Sequence, residues 1–389
     1  MSKVILRKNE DIRIRHGHLW VFSNEIQKVE DAANNGDLVE LYDSQNNFLG
    51  EGFYNKNSLI AIRLLSRTKI GDLQEYFSMQ LKKAAELRKS FCSGRNSYRL
   101  VFSESDFLPG LIIDKYNDSY VLQIYSVGME LNIGLINKVL KEEFSAQNIF
   151  TKNEEYFRML EGLPVEDKLY LGERKEEIIS DGAVDYKIIF GKTQKTGFYF
   201  DQSDNRFFIE KMCKNKTIID AFCNLGGFGL HAAKAGAAAV EFIDGSAEII
   251  QSVKENFQLN GFNIPAEFTV ADVFDRLEYL KNSAKSFDVV MIDPPAFAKN
   301  KKSLPVAQKG YERLNRLALN IINDGGILVT SSCSFHLKQE DFLRIINTAA
   351  IKAGKTIQLI YFNNASVDHP RLPAMEETAY LKFAVYRVT

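Results

Sequence analysis

The stretch that most limits what this chain can fold into is residues 217–229, Thr-Ile-Ile-Asp-Ala-Phe-Cys-Asn-Leu-Gly-Gly-Phe-Gly. It begins as a short apolar run with Asp220 near its end, which reads as a buried strand. Gly226, Gly227 and Gly229 follow, and then a helical pattern over 230–236. Strand, glycine turn and helix make the nucleotide-binding corner of a doubly wound α/β domain. Glycines at that corner let the backbone approach a ligand closely. A glycine cluster alone is equally well a loop, so the context carries the argument. A second strand, 238–243, runs into Asp244 one βα unit later, where a ribose-binding carboxylate belongs. A third, 266–271, ends in Asp272, and a fourth, 287–292, runs into Asp293-Pro294-Pro295-Ala296-Phe297.

In a doubly wound sheet, ligands sit outside the carboxyl ends of the strands. Asp220, Asp244, Asp272, Asp293 and Cys333 all fall at or just past such ends, which implies one shared crevice. The spacing G-x-G-x-x-G is absent, so the helix start is not built as a phosphate cradle and a nicotinamide dinucleotide is disfavoured. This order of strands and acids resembles a class I S-adenosylmethionine (SAM) methyltransferase. The resemblance makes Asp220 and Asp293 part of the cofactor site and Asp244 the acceptor of two ribose hydroxyls. It places Asp272 and Val273 beside the adenine, and the backbone of Asn224, Gly226 and Gly227 along the methionine part.

A chain of 389 residues is long for one domain and comfortable for two or three. Its net charge of −1 gives no bulk attraction to nucleic acid, so such a partner needs local patches. The four cysteines, Cys92, Cys213, Cys223 and Cys333, form no C-x-x-C pair. That argues against zinc ribbons, other metal centres and disulfide frameworks, and fits a reducing cytoplasm. The N-terminus lacks the pattern of a signal peptide, and no apolar stretch reaches the roughly 20 residues a membrane span needs.

Residues 1–70 read as short strands at close spacing, a small β-barrel. Six basic residues stand against three acids over 1–28, beside His16 and His18, which is compatible with an RNA-contacting face or with a solvated barrel surface around Trp20. Residues 71–180 read as a middle α+β domain. It has a helix over 72–91 with Leu73, Phe77, Leu81, Ala84, Ala85 and Leu87 on one side, then strands at 99–102, 110–115 and 120–126, then a helix over 130–144. The acids of 104–110 read as a structural turn. Residues 181–389 hold the alternating strand and helix pattern, with a helix over 314–322 stopped by Gly325-Gly326, strands at 327–330 and 356–362, and 380–388 closing the sheet. The count matches a seven-stranded, Rossmann-like sheet with an antiparallel edge.

The Asp293 loop is a catalytic candidate. Two prolines hold it extended, so Asp293 and the Pro294 carbonyl could face a planar base with Phe297 stacked on it. Between 299 and 316, six basic residues, among them Lys299, Lys301 and Lys302, stand against one acid. That patch points to a nucleic-acid substrate. Cys333 sits in a Ser-Ser-Cys-Ser strand end, where a thiolate could attack carbon 6 of a pyrimidine and make carbon 5 nucleophilic. Cys223 lies inside the glycine motif and reads as packing.

Taken together, Trp20-Val21-Phe22-Ser23, Tyr98-Arg99-Leu100, Glu104-Ser105-Asp106 with Leu108-Pro109-Gly110, Lys195-Thr196-Gly197-Phe198-Tyr199 with Asp201-Gln202, Gly226-Gly227-Phe228, Asp293-Pro294-Pro295 and Ser332-Cys333-Ser334 resemble the 23S ribosomal RNA (cytosine-5) methyltransferases that carry an N-terminal PUA domain. The resemblance spans nearly the whole chain. It implies a PUA-like domain, a middle domain and a C-terminal SAM methyltransferase domain. It implies SAM contacts at Thr196, Tyr199 and Gln202 in a hairpin before the sheet, Cys333 as nucleophile, and 23S ribosomal RNA as partner. A second cysteine, which many RNA cytosine-5 methyltransferases place after the catalytic-loop proline, is absent: the chain reads Pro295-Ala296-Phe297 there. Two rival readings stay open. One is a methyltransferase acting on a base amino group through the Asp-Pro-Pro-x-Phe loop; the other is a non-catalytic RNA-binding assembly factor. A homodimer is equally open.

Overall fold

The computed structural model describes residues 1–173, 176–190, 196–298 and 300–389. They fall into two units. The first comprises Met1–Ile179, Ile188–Phe200 and Val367–Thr378; the second comprises Ser180–Lys187, Asp201–Ser366 and Ala379–Thr389.

In the first unit, six strands form a sheet in the order Trp20–Phe22, Ile60–Ser66, Phe48–Tyr54, Leu38–Tyr42, Lys3–Leu6 and Ile26–Glu30. Strand alternation buries Val4, Leu6, Val21, Val39, Leu41 and Leu64 in one core. The N-terminal basic residues are largely matched there. Arg13 donates to Glu25, and Arg15 pairs with both Asp11 and Asp43. The indole N–H of half-buried Trp20 donates to Glu104 Oε1 at 2.8 Å.

A five-stranded sheet of the same unit runs Leu169–Leu171, Asn148–Thr151, Ser119–Ile124, Leu111–Tyr116 and Ser97–Phe102. The helix Leu73–Phe91 packs its residues Tyr76, Phe77, Leu81 and Ala84 into the core of this sheet, with Asp72 capping its first turn through the Glu75 N–H. Leu87, expected on the apolar side, faces out instead. Buried beside it is Arg88, bidentate to Asp106 at 2.5 and 2.8 Å. Asp106 also accepts the Phe102 N–H, so this connector is held as structure by a buried ion pair.

After Ser180–Lys187, the second unit runs helix α1 (Ser203–Ile209), β1 (Thr217–Ala221), α2 (Gly227–Lys234), β2 (Ala239–Asp244), α3 (Ala247–Leu259), β3 (Ala266–Val270), α4 (Val273–Asn282), β4 (Phe287–Ile292), α5 (Leu304–Leu319), β5 (Ile322–Ser332), α6 (Gln339–Ala353), β6 (Ile357–Asn363) and β7 (Lys382–Val388). The seven strands order as β3-β2-β1-β4-β5-β7-β6. The first five are parallel, and β7 runs antiparallel to both β5 and β6. Consecutive strands depart in opposite directions from β1, so the crevice between the ends of β1 and β4 is the topological switch point where such sheets bind ligands. Ile219, Val290, Leu328 and Ala384 from four strands share a core with Leu277, Tyr311, Leu314 and Ile346 from helices.

The boundary near residue 320 differs from expectation. The helix starts at Leu304, with Pro305 in its first turn, and ends at Leu319. The glycine pair does not stop it; Gly325, at φ +75°, and Gly326 lie within β5, where the register against β4 shifts. This is a glycine bulge in a strand.

Candidate functional site

Three residues of the turn after β1 have left-handed backbone: Phe222 (φ 59°), Asn224 (φ 47°) and Gly226 (φ 84°). Two of them carry side chains, so the turn stores strain that the packed sheet around it must hold. The glycines have separate reasons. Gly226 supplies the positive φ. A Cβ on Gly227 would lie 2.5 Å from Arg206 Nε, and one on Gly229 would lie 2.2 Å from the Phe242 ring. The space over Gly227 and Gly229 is therefore used by this protein's own side chains.

The strand-end acids differ in environment. Asp220 is buried and accepts the Gly229 N–H at 2.7 Å. Burial pushes its carboxyl up to about 7, helped by the charges of Asp293 and Asp244, against the pull of the Gly229 N–H and Arg206. Asp293 follows β4, accepts the Ser331 hydroxyl, and accepts Gln202 Nε2 at 3.1 Å. Burial, with the nearby Asp201 charge, pushes it up to about 6 in spite of these donors and Arg206. Asp244 is half-buried at the end of β2 and accepts the N–H groups of Asn224 (3.3 Å) and Ser246 (3.1 Å). Asp272 is exposed and caps α4 through the N–H groups of Phe274 and Asp275; Val273, next to it, is buried in the core.

Gln202 is buried with both ends of its amide engaged, donating to Asp293 and accepting from Asn205 at 2.7 Å. Thr196 and Tyr199 belong to the first unit, where the Thr196 hydroxyl donates to Asp114. The loop after Asp293 buries Pro294 and exposes Pro295. Phe297, expected as a stacking platform, packs against Tyr311 with ring centroids 4.6 Å apart and lies on the core. Lys301 and Lys302 are exposed in a short turn before α5; Lys299 and Lys195 lie outside the described residues. Arg313 and Arg316, counted in the basic patch, pair with Glu278 and Glu312.

At the end of β5 the side chains of the Ser-Ser-Cys-Ser run divide sharply. Ser331 donates to Asp293, Ser332 donates to the Tyr311 hydroxyl at 2.9 Å, and Ser334 bonds the same hydroxyl at 2.9 Å while accepting the Ala298 N–H. Cys333 alone among the four cysteines is not buried. Burial raises Cys213 to about 12 and pushes Cys223 well above the ordinary thiol range, so both are inert.

Arg206 and Ser331 were missed from sequence. Arg206 follows Gln202 by four residues, on the same helical face, which is the signal that could have found it.

Two family models match the chain: a PUA-like domain over residues 4–67 and an S-adenosylmethionine-dependent methyltransferase over residues 169–387. The chain belongs to the S-adenosylmethionine-dependent methyltransferases. Its relatives include proteins named Ribosomal RNA large subunit methyltransferase I, from Aliivibrio fischeri (36% identical, covering 99% of each chain) and from Vibrio cholerae (36% identical, covering 97% of each). A solved chain described as a methyltransferase complexed with SAH has the same fold, with a TM-score of 0.85, 21% identity and full coverage of both chains.

The switch-point residues of this methyltransferase fit SAM. An ionised carboxylate offers about four lone-pair directions, and Asp244 gives two to backbone N–H groups, so acceptors remain for a ribose diol. Arg206, buried against Gly227, brings a cation to the turn that the methionine carboxylate would approach.

Proposed function

We propose that this methyltransferase forms 5-methylcytosine in large-subunit ribosomal RNA through a covalent Cys333 adduct. Asp244 would hold the ribose, Asn224, Gly226 and Gly227 the methionine backbone, Arg206 the methionine carboxylate, and Asp272 with Val273 the adenine edge. Asp220 would keep the turn in shape through Gly229, and Gln202 would hold Asp293. Thr196 and Tyr199 stay candidate contacts by resemblance. SAM supplies an electrophilic methyl group. The Cys333 thiolate adds to carbon 6 of the cytosine, forming the carbon–sulfur bond and leaving carbon 5 nucleophilic. After carbon 5 has gained its methyl, loss of its proton to a base expels the thiolate and restores the ring, so the cysteine is regenerated. Residues 1–70 and the exposed Lys301 and Lys302 would contact RNA phosphates, with 71–180 as a middle domain.

The observation that carries this reading is the accessibility of the Cys333 thiol. Every serine around it is tied into hydrogen bonds, and Cys333 is the one accessible thiol, set at a strand end near the switch point. The rival amino-group chemistry needs the Asp293 carboxylate as an acceptor and Phe297 as a platform. Phe297 packs on Tyr311 and on the core, which weighs against it. RNA containing 5-fluorocytosine decides between them, because fluorine at carbon 5 cannot leave as a proton. The wild-type protein should form a denaturant-resistant adduct with it, and Cys333→Ala should not. Methyl transfer by Cys333→Ala at the wild-type rate would overturn the covalent reading.

A further inference from the structure

Strand β7 carries one lysine in an otherwise apolar run, Leu381-Lys382-Phe383-Ala384-Val385-Tyr386. Lys382 is only 6% exposed. Antiparallel pairing sets it directly opposite Ser332, the residue before Cys333. Its ammonium donates to the carbonyl of Ser334, the residue after Cys333, at 2.7 Å, and to the carbonyl of Tyr380 at 2.6 Å. The strand register and these two hydrogen bonds thus fix the charged end of Lys382 across the short segment that displays the thiol. A buried lysine is unfavourable unless something compensates its charge. Two carbonyls satisfy two of its three N–H donors but bring no negative charge.

We propose that the Lys382 ammonium is the built-in counter-charge of a Cys333 thiolate, which makes Lys382 the positioning residue that arms this cysteine. The inference rests on Cys333 being the nucleophile, and it adds how that thiol is ionised. Burial pulls the Lys382 ammonium down to about 8; an ionised Cys333 pulls it back up, and the charge of Lys338 pushes it down. The other titratable groups facing the thiol are Tyr311 on α5, whose hydroxyl is raised by burial and by the Cys333 charge, and Asp293 beyond Ser331 at the end of β4. Neither supplies a positive charge. Lys338, at the N-cap of α6, is a second cation close enough to Lys382 to lower its ammonium. A neighbouring cation lowers a thiol below its ordinary range and increases the fraction present as the nucleophilic thiolate.

The test is the pH profile of Cys333 alkylation by iodoacetamide in the full-length protein, read at that residue by peptide mass spectrometry. Wild type should show an inflection below the ordinary thiol value of about 8.5. Lys382→Gln keeps a hydrogen-bond donor without charge and should move the inflection up by at least one unit; Lys382→Arg keeps the charge and should restore it. Superimposable profiles for wild type and Lys382→Gln would overturn the proposal. A second arm leaves the lysine and its carbonyl bonds in place. In Cys333→Ala, the pH at which Lys382 becomes acetylatable by acetic anhydride should fall, and an unchanged lysine profile would overturn the proposal even if Lys382→Gln fails to fold. Neither readout uses methyl transfer. Active Cys333→Ala would remove the nucleophile reading, whereas unshifted thiol and lysine profiles would remove the pairing alone.

Discussion

The guanidinium of Arg206 fills the space that a side chain on Gly227 would need, with Nε 2.5 Å from where that Cβ would stand. Arg206 comes from α1 and Gly227 opens α2, so the glycine turn is shaped by a cation from the preceding helix. Gly227→Ala should displace Arg206 and cost about 1–3 kcal/mol of stability, the usual range for overpacking. It should also weaken SAM in calorimetry. Gly229→Ala, whose Cβ would meet the fully buried Phe242 ring, should be the more destabilising of the two in denaturant melts. The reverse ranking would show that Arg206, not Phe242, is the tighter constraint.

Asp220 gives a pH signature of known sign. Its carboxyl is raised to about 7 in the folded chain, against roughly 3.9 when unfolded. Between those values the folded state binds more protons than the unfolded one, so stability falls as pH rises through that window. Asp220→Asn can still accept the Gly229 N–H but never ionises. It should flatten this fall between pH 5 and pH 8, and an identical pH dependence in mutant and wild type would refute the assignment. Asp293, raised to about 6, adds a smaller term of the same sign.

The buried His231 bridges Asp181 at 2.8 Å and Glu210 at 2.6 Å. Asp181 would be raised by its burial, but the hydrogen bond and charge of His231, the Val184 N–H and Arg206 hold it down to about 2. A lowered carboxyl contributes stability above its unfolded value, and that contribution is lost as pH falls through the folded one. His231→Ala should cost about 3–5 kcal/mol near neutrality, because it leaves a buried charge without its partner. The penalty should shrink towards pH 2, as urea titrations at both pH values would show.

Asp244 should be the residue on which cofactor affinity depends most directly. Asp244→Ala removes a charged acceptor of ribose hydroxyls, and SAM binding should weaken by about 1.5–3 kcal/mol. Calorimetry on the folded variant reads this, and unchanged affinity would move the ribose elsewhere.

RNA capture should depend on salt. If Lys301 and Lys302 contact phosphates, replacing both with glutamine should reduce the slope of log affinity against log salt by about 1.4–1.8 units. An unchanged slope would assign the phosphate contacts to other residues, among which Arg13 and Arg15 are already paired with acids.

The sequence by itself determined the sheet and its acids. Buried parallel strands read as apolar runs, and the residues at their carboxyl ends are forced to the crevice by strand direction alone, so Asp220, Asp244, Asp293 and Cys333 could be placed by counting. Hydrophobic periodicity also showed the helices near 72–91, 130–144 and 230–236, but not those at Ser203–Ile209, Ala247–Leu259 and Val273–Asn282. Tertiary structure alone decided which polar groups meet. Residues 202, 293 and 331 are far apart in the chain, and only the switch-point topology brings the Gln202 amide and the Ser331 hydroxyl onto one carboxylate. The helix that ends at Leu319 was mislocated because a glycine pair signals a helix stop and a strand bulge equally well, and only pairing with β4 distinguishes them. Phe297 looked like a platform because an aromatic after two prolines is exposed in an isolated loop; Tyr311, fourteen positions on, covers it once α5 packs. Lys382 gave no sequence signal beyond its apolar surroundings. Its neighbours are set by antiparallel register across β5, a relationship that no local pattern encodes.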